Sequence, residues 1–145
     1  MPVERRGLAE ETWSQRKGEP LGGKAHYVQQ VRQMLLRPAC VRATFSAADK
    51  RRAVNFYRRG VSLEQIQRAI WLGCARKYVA LLNSQTPLLI TSLHYFSAIV
   101  HEVGETAVGD GYWSHVRRRA EQLERRWIER PDPRASEENE MMETK

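Results

Sequence analysis

Cysteine is nearly absent. Cys40 and Cys74 are too few for a disulfide framework and too few to complete a zinc site, so a small secreted scaffold and a zinc module are both excluded and an intracellular, cytoplasmic protein is expected. Long apolar runs are missing as well. Nothing approaches the ~18 consecutive apolar residues of a membrane span, and residues 1–23 are charged where a signal peptide is apolar, so neither a membrane anchor nor export is expected. The sequence also lacks the short motifs of common catalytic loops. There is no GxxxxGKS or GxGxxG loop to cradle phosphates, no HExxH pair for zinc and no GxSxG nucleophile turn.

The side chains that chemistry would need are present but dispersed. His26, His94, His101 and His115 are scattered; His94 and His101 share a helical face, but they lie seven residues apart where metal pairs on a helix use three or four. They read as surface or boundary histidines. Glu102 and Glu105 have the spacing of paired acids, yet His101 with Glu105 is as easily a pair on a helix surface. Cys74 stands near Arg76 and Lys77, which lower a thiol pKa, but no histidine is fixed beside it, and an inert buried cysteine is the plainer reading. No enzyme, metal or cofactor is expected.

What remains is a chain of 145 residues, 41% hydrophobic, long enough to bury a core without cross-links, with a net charge of +7 that is unevenly placed. Residues 24–59 hold nine basic side chains and one acid, net +8, while residues 1–23 and 60–105 balance, residues 106–130 carry +2 and residues 131–145 carry −3. A one-signed stretch of that size attracts polyanions, of which nucleic acid is the commonest; a solubilising surface is the bland alternative.

Helical periodicity organises the same stretch. Residues 1–23 have no period and read as a flexible leader; Tyr27, Val28, Val31, Met34 and Leu35 give one face of a first helix, ended by Pro38. Ser46 with Asp49 caps a second helix that runs to Arg59 and stops at Gly60. Ala53, Phe56 and Tyr57 share its inner side, whereas Arg51, Arg52, Asn55, Arg58 and Arg59 spread over an arc of about 120° on the other, with Lys50 at the rim. Asp49 is the only acid within that helix.

Ser62 with Gln65 forms a capping box for a third helix with Leu63, Ile66, Ala69 and Ile70 as its stripe. Unbroken phase beyond Gly73 turns Lys77 inward, so a break between Gly73 and Lys77 is expected, with Tyr78–Leu82 as a short further helix. A fourth helix starts near Thr91 or Ser92. A last one reaches about Arg130, where Trp113, Val116, Ala120, Leu123 and Trp127 make a seam that either docks on the same domain or pairs with a second copy through residues 112–128. The arginines of that helix interleave with Glu121, Glu124 and Glu129, Glu121 to Arg125 having the favourable order, so its outer face reads as mostly self-neutralised. Residues 131–145 read as an acidic disordered tail. The expected architecture is an all-α, compact bundle of five or six helices built from residues 24–130.

Phe56–Lys77 also has the flavour of a helix-turn-helix, with Gly60, Ser62 and Ile66 in place, but the next glycine, Gly73, is two residues late for the tight turn before a recognition helix. From Phe45 to Val103 the order of features resembles the C-terminal helical domain of DnaD and DnaB-type bacterial replication initiation proteins. The likeness rests on Ser46–Gly60, on Val61–Ala75 with Ile66, Ala69 and Ile70, and on Ser92–Phe96 opening the later helix. Tyr95 and Ile99 match the family's Tyr and Ile; Val103 stands where its Trp would be and cannot stack on a base. The resemblance implies a module that binds single- or double-stranded DNA with little sequence preference and contacts replication proteins. Arg51, Arg52, Arg58 and Arg59 would then hold phosphates with Asn55 and Lys50, while Trp71, off its helix's buried stripe, and Tyr95 are candidates for base contact. A protein-interaction adaptor using the Trp113–Trp127 seam is the reading from another class.

Overall fold

The computed structural model describes residues 23–131, which form five α-helices and one 3₁₀ turn. Apart from Gly23 and Pro131, the leader and the acidic tail expected from the sequence lie outside the described residues. The first helix, α1 (Lys24–Leu36), buries Tyr27, Val28, Val31 and Leu35, one side of the helix, and ends just ahead of Pro38, which has no N–H to continue the hydrogen-bond ladder. Tyr27 donates its hydroxyl to the Val61 carbonyl at 2.8 Å and meets the Tyr57 ring edge-on, which fixes α1 across the turn that follows the second helix.

That second helix, α2 (Ala47–Arg58), begins with a complete capping box. Ser46 Oγ accepts from the Asp49 amide at 3.2 Å and Asp49 Oδ2 accepts from the Ser46 amide at 3.1 Å. The other oxygen of Asp49 accepts from the Leu93 amide at 2.9 Å, so this one buried carboxylate ties α2 to a segment more than forty residues away. At the far end Gly60 takes φ +79°; its amide bonds to the Tyr57 carbonyl and the Val61 amide to that of Phe56, the Schellman closure that a glycine permits without a Cβ clash.

The third helix, α3 (Leu63–Leu82), corrects the expected break: twenty residues run straight through Gly73 and Lys77, and Tyr78 lies within the helix rather than at the start of another. Gly73 is a contact point. A Cβ there would lie 2.7 and 2.8 Å from the Phe96 ring and 2.9 Å from Ile99, so the helix keeps a weak former, at about 1 kcal/mol, because two side chains close on its backbone. Lys77 is half-buried and sends its ammonium over the Tyr95 ring, 5.4 Å from the centroid, its stem lying along apolar surface. The Ser62 cap forms, but Gln65 does not complete the box; it donates instead to the Val100 carbonyl at 2.9 Å.

A 3₁₀ turn (Leu93–Phe96), capped by Ser92, leads into α4 (Ser97–Gly104), and a last helix, α5 (Asp110–Ile128), follows. α3 is the central element, with α1, the 3₁₀ turn, α4 and α5 packed against it, while α2 packs on α1 and the 3₁₀ turn. One parallel bridge, Val41 to Ile90, ties the loop after α1 to the segment after α3. The architecture is an all-α bundle. The seam of α5 is buried: Trp113, Val116, Ala120 and Leu123 lie inside the fold on the α3 side, so of its two readings, docking on the same domain is the one these residues adopt. Among the described residues no helix is long and apolar enough to cross a membrane.

Candidate nucleic-acid interface

The exposed side of α2 is built by subtraction. Ala53 and Phe56 go into the core and Asp49 follows them, because its carboxylate is claimed by two backbone amides, that of Ser46 in its own capping box and that of Leu93. Left outside are Lys50, Arg51, Asn55, Arg58 and Arg59, all exposed, and Arg52, half-buried at the edge towards Phe56 with its Nε unpartnered. None of these cations forms an ion pair among the described residues, where the pairs are Arg68 with Glu64 and Asp110, Arg76 with Glu102, His101 with Glu105, and Arg117 with Glu121. Arg59 also leans over the Phe56 ring, 5.9 Å from its centroid. Arginines without carboxylates keep their donors for other anions, and the planar fork of each suits phosphate.

Beside this face runs a groove the sequence did not reveal. Lys24, Gln29 and Arg32 of α1 face Lys50 and Val54 of α2 across about 470 Å³, with Phe45 at the entrance to α2 lining it. Three cations and no carboxylate border it. Lys24 and Arg32 are legible in the sequence only as part of a basic stretch; their eight-residue spacing, which brings them within about 80° of one another round a helix, is the available signal.

The two aromatic candidates are elsewhere. Trp71 is half-buried on α3, with the Arg117 guanidinium of α5 at 5.5 Å from its ring, and lines a cleft of about 130 Å³ together with Arg37, Cys74, Glu121 and Glu124. Tyr95 is 38% exposed on the 3₁₀ turn, edge-on to Phe96 and beneath Lys77. Neither borders the α1–α2 groove. Of the eight expected site residues, six therefore gather on α2 and its C-cap, Arg59, while Trp71 and Tyr95 stand apart from it and from each other.

α5 departs from its expected neutrality. Glu124 turns inward, accepting from the Tyr78 hydroxyl and from the Ala39 amide, each at 2.8 Å, and Glu121 pairs with Arg117 rather than Arg125, at 3.1 Å. Arg118, Arg119, Arg125 and Arg126 consequently lie exposed without ion pairs among the described residues, with Glu129 as the remaining acid near them. The fold thus carries a second, smaller basic face.

The other chemical candidates come apart in the same way. Glu102 forms a two-pronged pair with Arg76, at 3.0 and 2.6 Å, and Glu105 sits 3.7 Å from His101, so the two acids do not converge. The guanidinium of Arg76 holds the Glu102 carboxyl below its usual range. Cys40 and Cys74 are free and buried, and the Cys74 thiol, hydrogen-bonded to Cys40 and cut off from water, is pushed upward, the opposite of an activated nucleophile. No cluster of three His, Cys, Asp or Glu that would hold a metal occurs among the described residues. The turn that a helix-turn-helix requires at Gly73 is absent, because α3 continues through it.

No family model, curated protein or solved structure matches the chain. The likeness to the DnaD-type domain is accordingly carried by the residues quoted for it and by nothing else.

Proposed function

We propose that the chain is a non-catalytic DNA-binding module that grips the phosphate backbone with little sequence preference. The observation that carries this reading is the outer side of α2, where Lys50, Arg51, Arg58 and Arg59 are exposed and the helix's one acid is buried. Contacts from guanidinium groups to phosphate fix position without reading bases. Replication initiation in a bacterium or mobile element, with replication proteins as further partners, is the setting the family resemblance supplies.

The test is fluorescence anisotropy with labelled oligonucleotides of unrelated sequence. Affinities within about threefold of one another are expected, as for backbone-dominated binding; discrimination of about 1,000-fold or more, typical of base readout, would overturn the reading.

A further inference from the structure

We infer that the groove between α1 and α2 receives an unpaired DNA nucleotide, its base against Phe45 and its flanking phosphates on Lys24, Arg32 and Lys50. This rests on the proposed DNA-binding role of α2 and specifies the form of DNA that α2 holds.

Position is the first support. Going round α2 in steps of about 100° per residue, Val54 and Lys50 follow directly on the edge formed by Arg51 and Arg58, so a strand lying on the arginines continues into the groove without crossing another element. The chemistry of the walls is the second. Val28, Phe45 and Val54 supply apolar surface, Lys24, Arg32 and Lys50 supply charge, and no carboxylate lines the space. An aromatic wall among cations matches a nucleotide, which is a flat, weakly polar ring tied to an anion. A duplex hides those rings inside its stack and would offer the groove only phosphates.

The third support is the backbone of Phe45. Its φ is +52°, the left-handed region that a bulky side chain rarely adopts. The residue sits immediately before the Ser46 cap, where the chain turns into α2, and glycine or asparagine would make that turn with less strain. The ring is half-buried and packs in part against the core, and the left-handed backbone holds what remains of it at the wall of the cation-lined groove.

The experiment compares Phe45→Leu and Phe45→Trp with the wild-type chain, measuring anisotropy with a labelled single-stranded oligonucleotide and with the duplex of the same sequence. Leucine keeps the apolar bulk but loses the flat face, so single-strand affinity is expected to fall between about 5-fold and 150-fold while duplex affinity changes less than about twofold. Tryptophan keeps the face: it is expected to retain single-strand binding and to have its fluorescence quenched by the single strand more than by the duplex. This second variant reads out stacking directly even where leucine impairs folding. Equal loss for both forms of DNA, or single-strand binding by Phe45→Leu at wild-type strength, overturns the inference. Duplex binding without single-strand binding overturns it while the role of α2 stands; no binding to either form removes both.

Discussion

α2 and α5 each display four arginines, and the two helices reach that state by different routes. On α2 the sequence offers one acid, and the fold buries it: Asp49 spends both oxygens on backbone amides of the cap and of Leu93. On α5 the sequence offers Glu121, Glu124 and Glu129 at spacings that suit surface pairing, yet Glu124 points inward to Tyr78 and Ala39 and Glu121 takes Arg117. Counting charges along a helix is therefore not enough. What decides the field outside is the direction in which each carboxylate leaves the helix, and that is set by whichever buried donor lies within reach.

The comparison predicts that the two faces are unequal for DNA, because the α2 face is acid-free and continues into the cations of α1, whereas α5 retains Glu129 and the Arg117–Glu121 pair at its margin. Changing Arg51, Arg58 and Arg59 together to alanine is expected to lower affinity about 100-fold at ~0.15 M salt, three phosphate contacts being lost. The matching change of Arg118, Arg119 and Arg126 is expected to lower it less than about fivefold, through the screened long-range field only. Equal losses would break the comparison.

The inward acids sharpen it from the other side. Asp49→Ala leaves the Ser46 and Leu93 amides without their acceptor and halves the capping box while the Ser46 cap itself stays, and is expected to cost about 2–3 kcal/mol in urea unfolding. Glu124→Ala leaves the Tyr78 hydroxyl proton and the Ala39 amide without an acceptor, although the Tyr78 oxygen still accepts from the Cys40 amide, at about 1–2 kcal/mol. A Glu124 variant that keeps its stability would mean the carboxylate is free to neutralise Arg125 after all.

The smallest effect belongs to a carboxylate that does stay outside. Glu102 and Arg76 are about half-exposed, so the pair contributes under ~1 kcal/mol despite its two-pronged geometry. Since Arg76 holds the Glu102 pKa down, that contribution is present above the ordinary carboxylate pKa and disappears as pH falls through the lowered one. The stability difference between wild type and Arg76→Gln should be measurable at neutral pH and vanish in strong acid; a difference that persists there would come from packing of the arginine stem.

Much of this fold is legible locally. Ser46, Ser62 and Ser92 each announce a helix or turn start that forms, and Gly60 announces an end, because caps and left-handed closures are decided within a few residues. The continuity of α3 is not local. Gly73 reads as a breaker until Phe96 and Ile99 are known to close on it, and Lys77 reads as misplaced until Tyr95 is known to lie beneath its ammonium. The candidate site divides the same way: the arginine arc follows from periodicity on one helix, but the groove needs Lys24 and Arg32 brought to Lys50 by the packing of α1 on α2. Trp71 stands out in the sequence for lying off an apolar stripe, which marks a side chain as partly exposed without saying where, and Tyr95 only for its match to a family position, which carries no information on what surrounds it.

The most direct measurement is the slope of log affinity against log salt concentration for the full chain and for the Arg51, Arg58 and Arg59 triple alanine variant on the same oligonucleotide. If those guanidinium groups displace counterions from phosphates, the slope becomes shallower by about 2–3 in the variant. Parallel slopes would contradict a phosphate-gripping α2, whatever the change in affinity.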